Sequence, residues 1–211
     1  MTQLERAMRG EITPEMRAVA QNEGIPAQTI RERVASGLIV IPFNENHHNL
    51  KACGIGYGLS TKVNANLGTS PVFPEWENEV EKMDVALEAG ADAIMDLSTG
   101  GELKECRREV LARCPVLVGT VPVYEAAVRT RLQGNPVVEM DPDLLFQVIA
   151  EHAAEGVDFV TVHCGVIRSI VEKMKTNPRL LGIVSRGGAM TAGWMLHRGE
   201  ENPLYARFDQ L

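Results

Sequence analysis

Apolar positions along this chain keep two rhythms and alternate between them. Over Glu75–Ala89 they fall at Val80, Met83, Ala86 and Leu87, the spacing of a helix with one buried face, and Gly90 stands at its C-cap. Ala93–Ser98 then reads as a short strand. The same exchange recurs downstream. Helices are predicted over Glu102–Arg113, Ala126–Leu132, Pro142–Glu155, Val166–Lys175 and Ala189–Arg198. Strands are predicted over Pro115–Pro122, Phe159–Gly165 and Leu180–Ser185, with Asn135–Met140 a connector and Tyr205–Leu211 a helix-like end. Upstream, Thr61–Ser70 opens with the apolar–polar alternation of a strand and closes in a Gly-Thr-Ser loop. Strand alternating with helix five times implies parallel strands joined by right-handed crossovers. The mostly continuous apolar runs suit strands covered on both faces.

The first fifty residues read differently. Thr13 before Pro14 is a good N-cap with proline at the first helical position, Met16, Val19 and Ala20 form one apolar face, and Gly24 ends the helix. Pro26–Val34 reads as a second helix closed by Gly37, and Leu38–Pro42 as a short strand that Pro42 confines to an edge. Asn44–Leu50 reads as a polar loop whose His47 and His48 are expected in solvent. Gly54, Gly56 and Gly58 precede a strand instead of following one, so they read as a flexible entry loop and not as a dinucleotide fingerprint. The chain therefore divides into an N-terminal helical segment with an edge strand, residues 1–53, and an α/β unit, residues 54–211.

Polar groups collect where the predicted strands end: Asn64 and Asn66, then Asp96 and Ser98, Thr120 and Tyr124, His163, and Ser185 and Arg186. Asn64 and Asn66 are two apart, so on a strand they share a face and suit ligand reading better than core packing. Polar groups after every strand favour the rim of a (β/α)8 TIM-type barrel over the single switch point of a doubly wound sheet. A closed barrel needs eight strands, and about the first five β/α units are legible here. Ser185-Arg186-Gly187-Gly188 is the best anion site, since the glycines admit a phosphate to the backbone and a helix begins there. His163 is open to two readings, a satisfied core histidine or a ligand and acid–base group. Asp96 reads as a rim group or as a cap of the next helix. Met95 reads as packing, and Tyr124 as a stacking surface for a flat heterocycle or a gap filler.

Composition narrows the class. A net charge of −7 with basic residues spread among acids excludes the basic patch of a nucleic-acid binder. No apolar run approaches the roughly 18 residues of a membrane span. Met1–Arg9 is polar, which favours a cytoplasmic protein. Cys53, Cys106, Cys114 and Cys164 have no metal-ligand spacing, and Cys106 and Cys114 are expected to be packing residues.

Five segments in register resemble one family: TKVNANLGTS at Thr61–Ser70, MDLSTG at Met95–Gly100, GTVPVY at Gly119–Tyr124, TVHCGV at Thr161–Val166 and SRGG at Ser185–Gly188. With Thr2-Gln3-Leu4 and GEITPEM at Gly10–Met16, they resemble the phosphomethylpyrimidine synthases of thiamine biosynthesis, the ThiC family, along essentially the whole chain. The resemblance implies a (β/α)8 barrel and a noncanonical radical S-adenosylmethionine lyase, commonly a homodimer. In that family a [4Fe–4S] cluster and S-adenosylmethionine supply the radical, with a zinc or similar metal also bound. It implies conversion of 5-aminoimidazole ribotide to hydroxymethylpyrimidine phosphate with release of carbon monoxide and formate. Carried over by motif, Asn66, Met95, Tyr124 and His163 would line the substrate pocket, and Ser185, Arg186 and Gly187 would hold the phosphate.

The resemblance also sets limits. The family's C-x-x-C-x-x-x-x-C cluster motif and its two metal-binding histidines match nothing here, and Ser60 stands where an arginine is commoner. On the resemblance, the chain is expected to be inactive alone, as a truncation, a split-gene half needing a second chain, or a relic. The related 5-hydroxybenzimidazole synthases, which use the same substrate, are an alternative reading, and a noncatalytic module for phosphorylated ribosides is a third. An unpaired strand surface at Ile183 or Val184 is expected to drive self-association.

Overall fold

The computed structural model describes all 211 residues, Met1–Leu211. Helices α1 (Gln3–Met8), α2 (Pro14–Glu23) and α3 (Ala27–Ala35) open the chain. Thr2 and Glu5 form a capping box on α1. The Thr13 hydroxyl accepts from the Met16 N–H at 3.1 Å to cap α2, and Gly24, at φ 66°, closes it. Their inner faces bury Ala7, Met16, Val19, Ile30 and Val34 against Ile39 and Ile41.

Strand β1 (Ile39–Val40) pairs antiparallel with β2 (Ile55–Gly56) in a separate two-stranded sheet. The expected glycine loop is therefore partly a strand. Gly56, at φ 146°, lies so close to β1 that a Cβ would sit 2.2 Å from the Leu38 carbonyl oxygen, so backbone approach is what demands glycine there.

The main unit runs β3 (Asn64–Leu67), α4 (Trp76–Glu88), β4 (Ala93–Asp96), α5 (Leu103–Arg113), β5 (Leu117–Thr120), α6 (Pro122–Leu132), α7 (Pro142–Glu155) and β6 (Phe159–Val160). It continues through α8 (Arg168–Thr176), α9 (Arg186–Arg198) and α10 (Pro203–Ala206). The sheet is wholly parallel, in the order β3-β4-β5-β6. The fold is thus mixed α/β around a four-stranded parallel sheet. Leu67, Ile94 and Val118 face helices α4 and α5, where they pack with Val80, Met83, Cys106 and Val110. The alternate residues Asn64, Asn66 and Met95 occupy the opposite face, since register partners on neighbouring strands share a side.

The expected fifth strand does not form. Leu180 and Leu181 lie in a turn closed by Gly182, at φ 61°, and Ile183–Ser185 pair with no strand. Leu180 is fully exposed, and Val184 is 70% exposed. An apolar run becomes a strand only beside a neighbour that takes its N–H and C=O groups, and none is present here. The strand expected over Phe159–Gly165 is also cut to two residues. The His163 carbonyl instead accepts from the Val166 N–H at 3.2 Å and from Asn202 Nδ2 at 2.8 Å.

Two further expectations change. Helix α6 begins at Pro122, four residues early, so Tyr124 stands in its first turn. His47 is buried, not solvated: Nδ1 lies 2.7 Å from Asp158 Oδ2 and Nε2 2.8 Å from the Cys114 carbonyl. Asp158 also accepts from the N–H groups of Asn44 and Val118, so it clamps the loop after β1 to β5. His48 does remain exposed. No helix is long and apolar enough to cross a membrane.

Candidate functional site

The site assembles at the start of α9. Ser185 is its N-cap, with Oγ accepting from the Gly188 N–H at 3.1 Å. That bond spends one free N–H and leaves the first-turn N–H groups before it directed out of the helix end, where an anion is favoured. Ser185 and Arg186 are exposed, whereas Gly187 and Gly188 are buried.

Arg186 is held at two points. Its guanidinium lies over the Tyr124 ring, 4.0 Å from the centroid, and Nη2 donates to the Leu97 carbonyl at 3.2 Å. One residue beyond β4 and one in the first turn of α6 thus position a cation at the start of α9.

His163 completes the group. Its Nε2 lies 3.2 Å from Ser185 Oγ, and its Nδ1 is buried without a protein partner. Burial pushes its pKa below the ordinary 6.5, so the ring is neutral at pH 7. Gly187 permits this approach, because a Cβ there would lie 2.2 Å from His163 Cε1. Met95 packs against the hydrophobic cluster to which Tyr124 belongs. Asn66 is Met95's register partner on β3 and stands exposed on the same face, its Oδ1 accepting from Asn64 Nδ2 at 3.1 Å. Tyr124, His163, Ser185, Arg186 and Gly187 therefore come together directly, with Met95 beside them and Asn66 one strand further out.

Asp96, Ser98 and Thr120 do not join them. They lie on the helix side of the sheet, and Asp96 caps no helix; it accepts from both the N–H and the hydroxyl of Ser98. Behind it runs a network that the strand-end reading missed. Thr120 Oγ1 lies 2.8 Å from His152 Nδ1, and His152 Nε2 lies 2.8 Å from Glu125 Oε2. Glu125 also accepts from Arg107 Nη1 at 2.8 Å and is paired with Arg129. Burial works to raise the Glu125 pKa, but the His152 hydrogen bond and the Arg107 charge outweigh it and hold the carboxyl far below its ordinary range. The available signal was Arg107 itself, a charge on the same stripe of α5 as Leu103, Cys106, Val110 and Leu111.

No three His, Cys, Asp or Glu side chains lie together as metal ligands. Burial pushes the thiols of Cys106 and Cys114 up to about 12 and about 11, the opposite of the thiolate a metal needs. These residues do not fit an iron–sulfur cluster or a zinc ion. The cavity of about 270 Å³ lined by Glu23, Cys53, Lys62 and Asp92 lies at the other end of the sheet, before the strands, and away from Arg186.

A family model described as the Radical SAM ThiC family matches residues 2–211. The phosphomethylpyrimidine synthase of Moorella thermoacetica is 54% identical over 211 residues, all of this chain and 49% of its own length. That of a Thermoanaerobacter species is 55% identical with the same coverage. That of Thermus thermophilus is 57% identical over 212 residues, 48% of its length. The chain spans about half the length of the curated relatives it matches. The chain belongs to the radical SAM ThiC family.

Proposed function

We propose that this chain supplies the substrate-phosphate side of a thiamine-pyrimidine synthase, a radical S-adenosylmethionine lyase acting on 5-aminoimidazole ribotide. The observation that carries the reading is Arg186, held over Tyr124 at 4.0 Å at the N-terminus of α9, beside a neutral His163. Ser185, Arg186 and Gly187 receive the phosphate: the guanidinium gives charge-assisted hydrogen bonds, and the N–H groups at the helix start point toward the negative charge. Asn66, Met95, Tyr124 and His163 line the pocket for the rest of the ribotide.

The architecture proposed is a (β/α)8 barrel in which the Asn66–Met95 face is the interior. Support comes from the all-parallel sheet in consecutive strand order and from the placement of the site beyond the strand ends. Residues 1–53 form the N-terminal segment, with a hydrophobic cluster of its own. The cluster and the metal are held by residues outside this chain, and the assembly is a homodimer or includes a second chain that supplies them. S-adenosylmethionine is the radical source that the family implies.

Calorimetry with 5-aminoimidazole ribotide tests the assignment. Saturable binding is expected for the chain and is expected to be lost in the double variant Ser185→Ala, Arg186→Ala. Absence of binding by well-folded protein, or binding that survives in the double variant, overturns the phosphate assignment.

A further inference from the structure

On the helix side of the sheet, one buried charge has a donor that no protein atom receives. Arg107 is 2% exposed on α5. Its Nη1 donates to Glu125 at 2.8 Å and its Nε to Glu155 at 2.6 Å, while Nη2 has no protein partner. A buried guanidinium with an unsatisfied N–H is costly, and native proteins place a partner there.

The surroundings state what that partner is. Arg107 lines a small cavity together with Asp96, Ser98, Thr120, Glu125 and His152. The cavity offers about 10 Å³ to the centre of a water molecule, the lower end of what one ordered water requires. Asp96 is 5% exposed, and both of its hydrogen bonds from Ser98 fall on Oδ1, which leaves Oδ2 as an acceptor. Arg107 forms ion pairs with Glu125 and Glu155, and none with Asp96. A donor on one wall and an acceptor on another, without direct contact, is the polar setting that an internal water needs. A cation is excluded by the guanidinium on the wall, and anything larger by the volume.

We propose that this cavity holds one ordered water, accepting from Arg107 Nη2 and donating to Asp96 Oδ2. The water closes a continuous polar path. It joins Asp96 at the end of β4 to Arg107 on α5, Glu125 on α6, His152 on α7 and Thr120 at the end of β5. Met95 and Tyr124 are the chain neighbours of Asp96 and Glu125. The bridge therefore braces, from behind, the two places from which the candidate site is presented.

A crystal structure of the chain at a resolution that shows ordered solvent tests this directly. The expected result is one peak within hydrogen-bond distance of both Arg107 Nη2 and Asp96 Oδ2. An empty cavity, or a direct Nη2–Asp96 contact with the cavity closed, overturns the proposal.

Discussion

Arg186 lies over the face of Tyr124, its guanidinium carbon 4.0 Å from the ring centroid, although 62 positions separate the two in the chain (186 − 124). The ring fixes a long cation that would otherwise sample many rotamers, and the fixed cation is what an anion meets. Arg186→Ala is expected to weaken binding of a phosphate monoester about tenfold to a hundredfold, the ~1.5–3 kcal/mol of a hydrogen bond to a charged group. Tyr124→Leu is expected to cost about two- to fivefold, through loss of ~0.5–1 kcal/mol of cation–π attraction. Titration calorimetry separates the two; a loss as large for Tyr124→Leu as for Arg186→Ala would contradict a ring that acts on the phosphate through Arg186.

Gly187 and His163 make a second pair. Because a Cβ at Gly187 would meet the imidazole 2.2 Å away, Gly187→Ala is expected to swing the ring out while the fold holds. The pKa of His163, depressed by burial, then returns toward 6.5. Proton NMR titration of the ring reads this directly, and an unmoved pKa would show that the ring does not occupy the space beside Gly187.

His47 gives the chain a pH dependence on the alkaline side. Burial opposes its charge, but the hydrogen bond and charge of Asp158 outweigh that and raise its pKa above 6.5. A raised folded pKa stabilises fully below the unfolded value and is lost as pH rises through the folded value. Urea unfolding is therefore expected to show stability falling from about pH 6.5 upward, with that slope abolished in His47→Gln. A wild-type curve flat across this range would contradict the imidazolium–carboxylate pair.

Glu125 sets the acid side. Its folded pKa is depressed, so its contribution is complete above the ordinary 4.5 and is lost as pH falls below it. Glu125→Gln leaves Arg107 and Arg129 without their shared carboxylate and is expected to cost about 3–5 kcal/mol. Urea unfolding near neutral pH measures the loss; a change under about 1 kcal/mol would mean that the network relaxes around the amide.

Self-association is expected of this chain on its own. Strand β6 is the sheet's last strand, and Leu180, Leu181 and Val184 are 100%, 78% and 70% exposed. An open parallel edge beside exposed apolar side chains invites pairing. Light scattering is expected to detect oligomers that diminish in Leu180→Lys, Leu181→Lys. A monodisperse monomer that unfolds cooperatively would contradict this.

Local chemistry in the sequence determined where most helices lie, though not where α6 and α9 start. Thr13-Pro14 started α2, Gly24 and Gly156 ended α2 and α7, and the stripe of Val80 and Met83 chose the buried face of α4. Each of these is decided within a turn or two of chain, so spacing alone suffices. The shared face of Asn64 and Asn66 follows from strand geometry in the same way. The candidate phosphate group was legible too, since Ser185-Arg186-Gly187-Gly188 carries its own cap and close-approach glycine.

Tertiary structure decided what depends on a distant partner. Leu180–Ser185 has the apolar content of a strand and forms none, because a strand is completed only by a neighbour's hydrogen bonds. Polar identity near a strand end did not reveal direction. Asp96 and Thr120 turn to the helix side, where Arg107, Glu125 and His152 satisfy or surround them, while Met95 between Ile94 and Asp96 takes the open face. His47 was unremarkable in a polar loop until folding brought Asp158, 111 residues away, to 2.7 Å. Pairings of that length are set by packing of the whole unit, and no local rhythm encodes them.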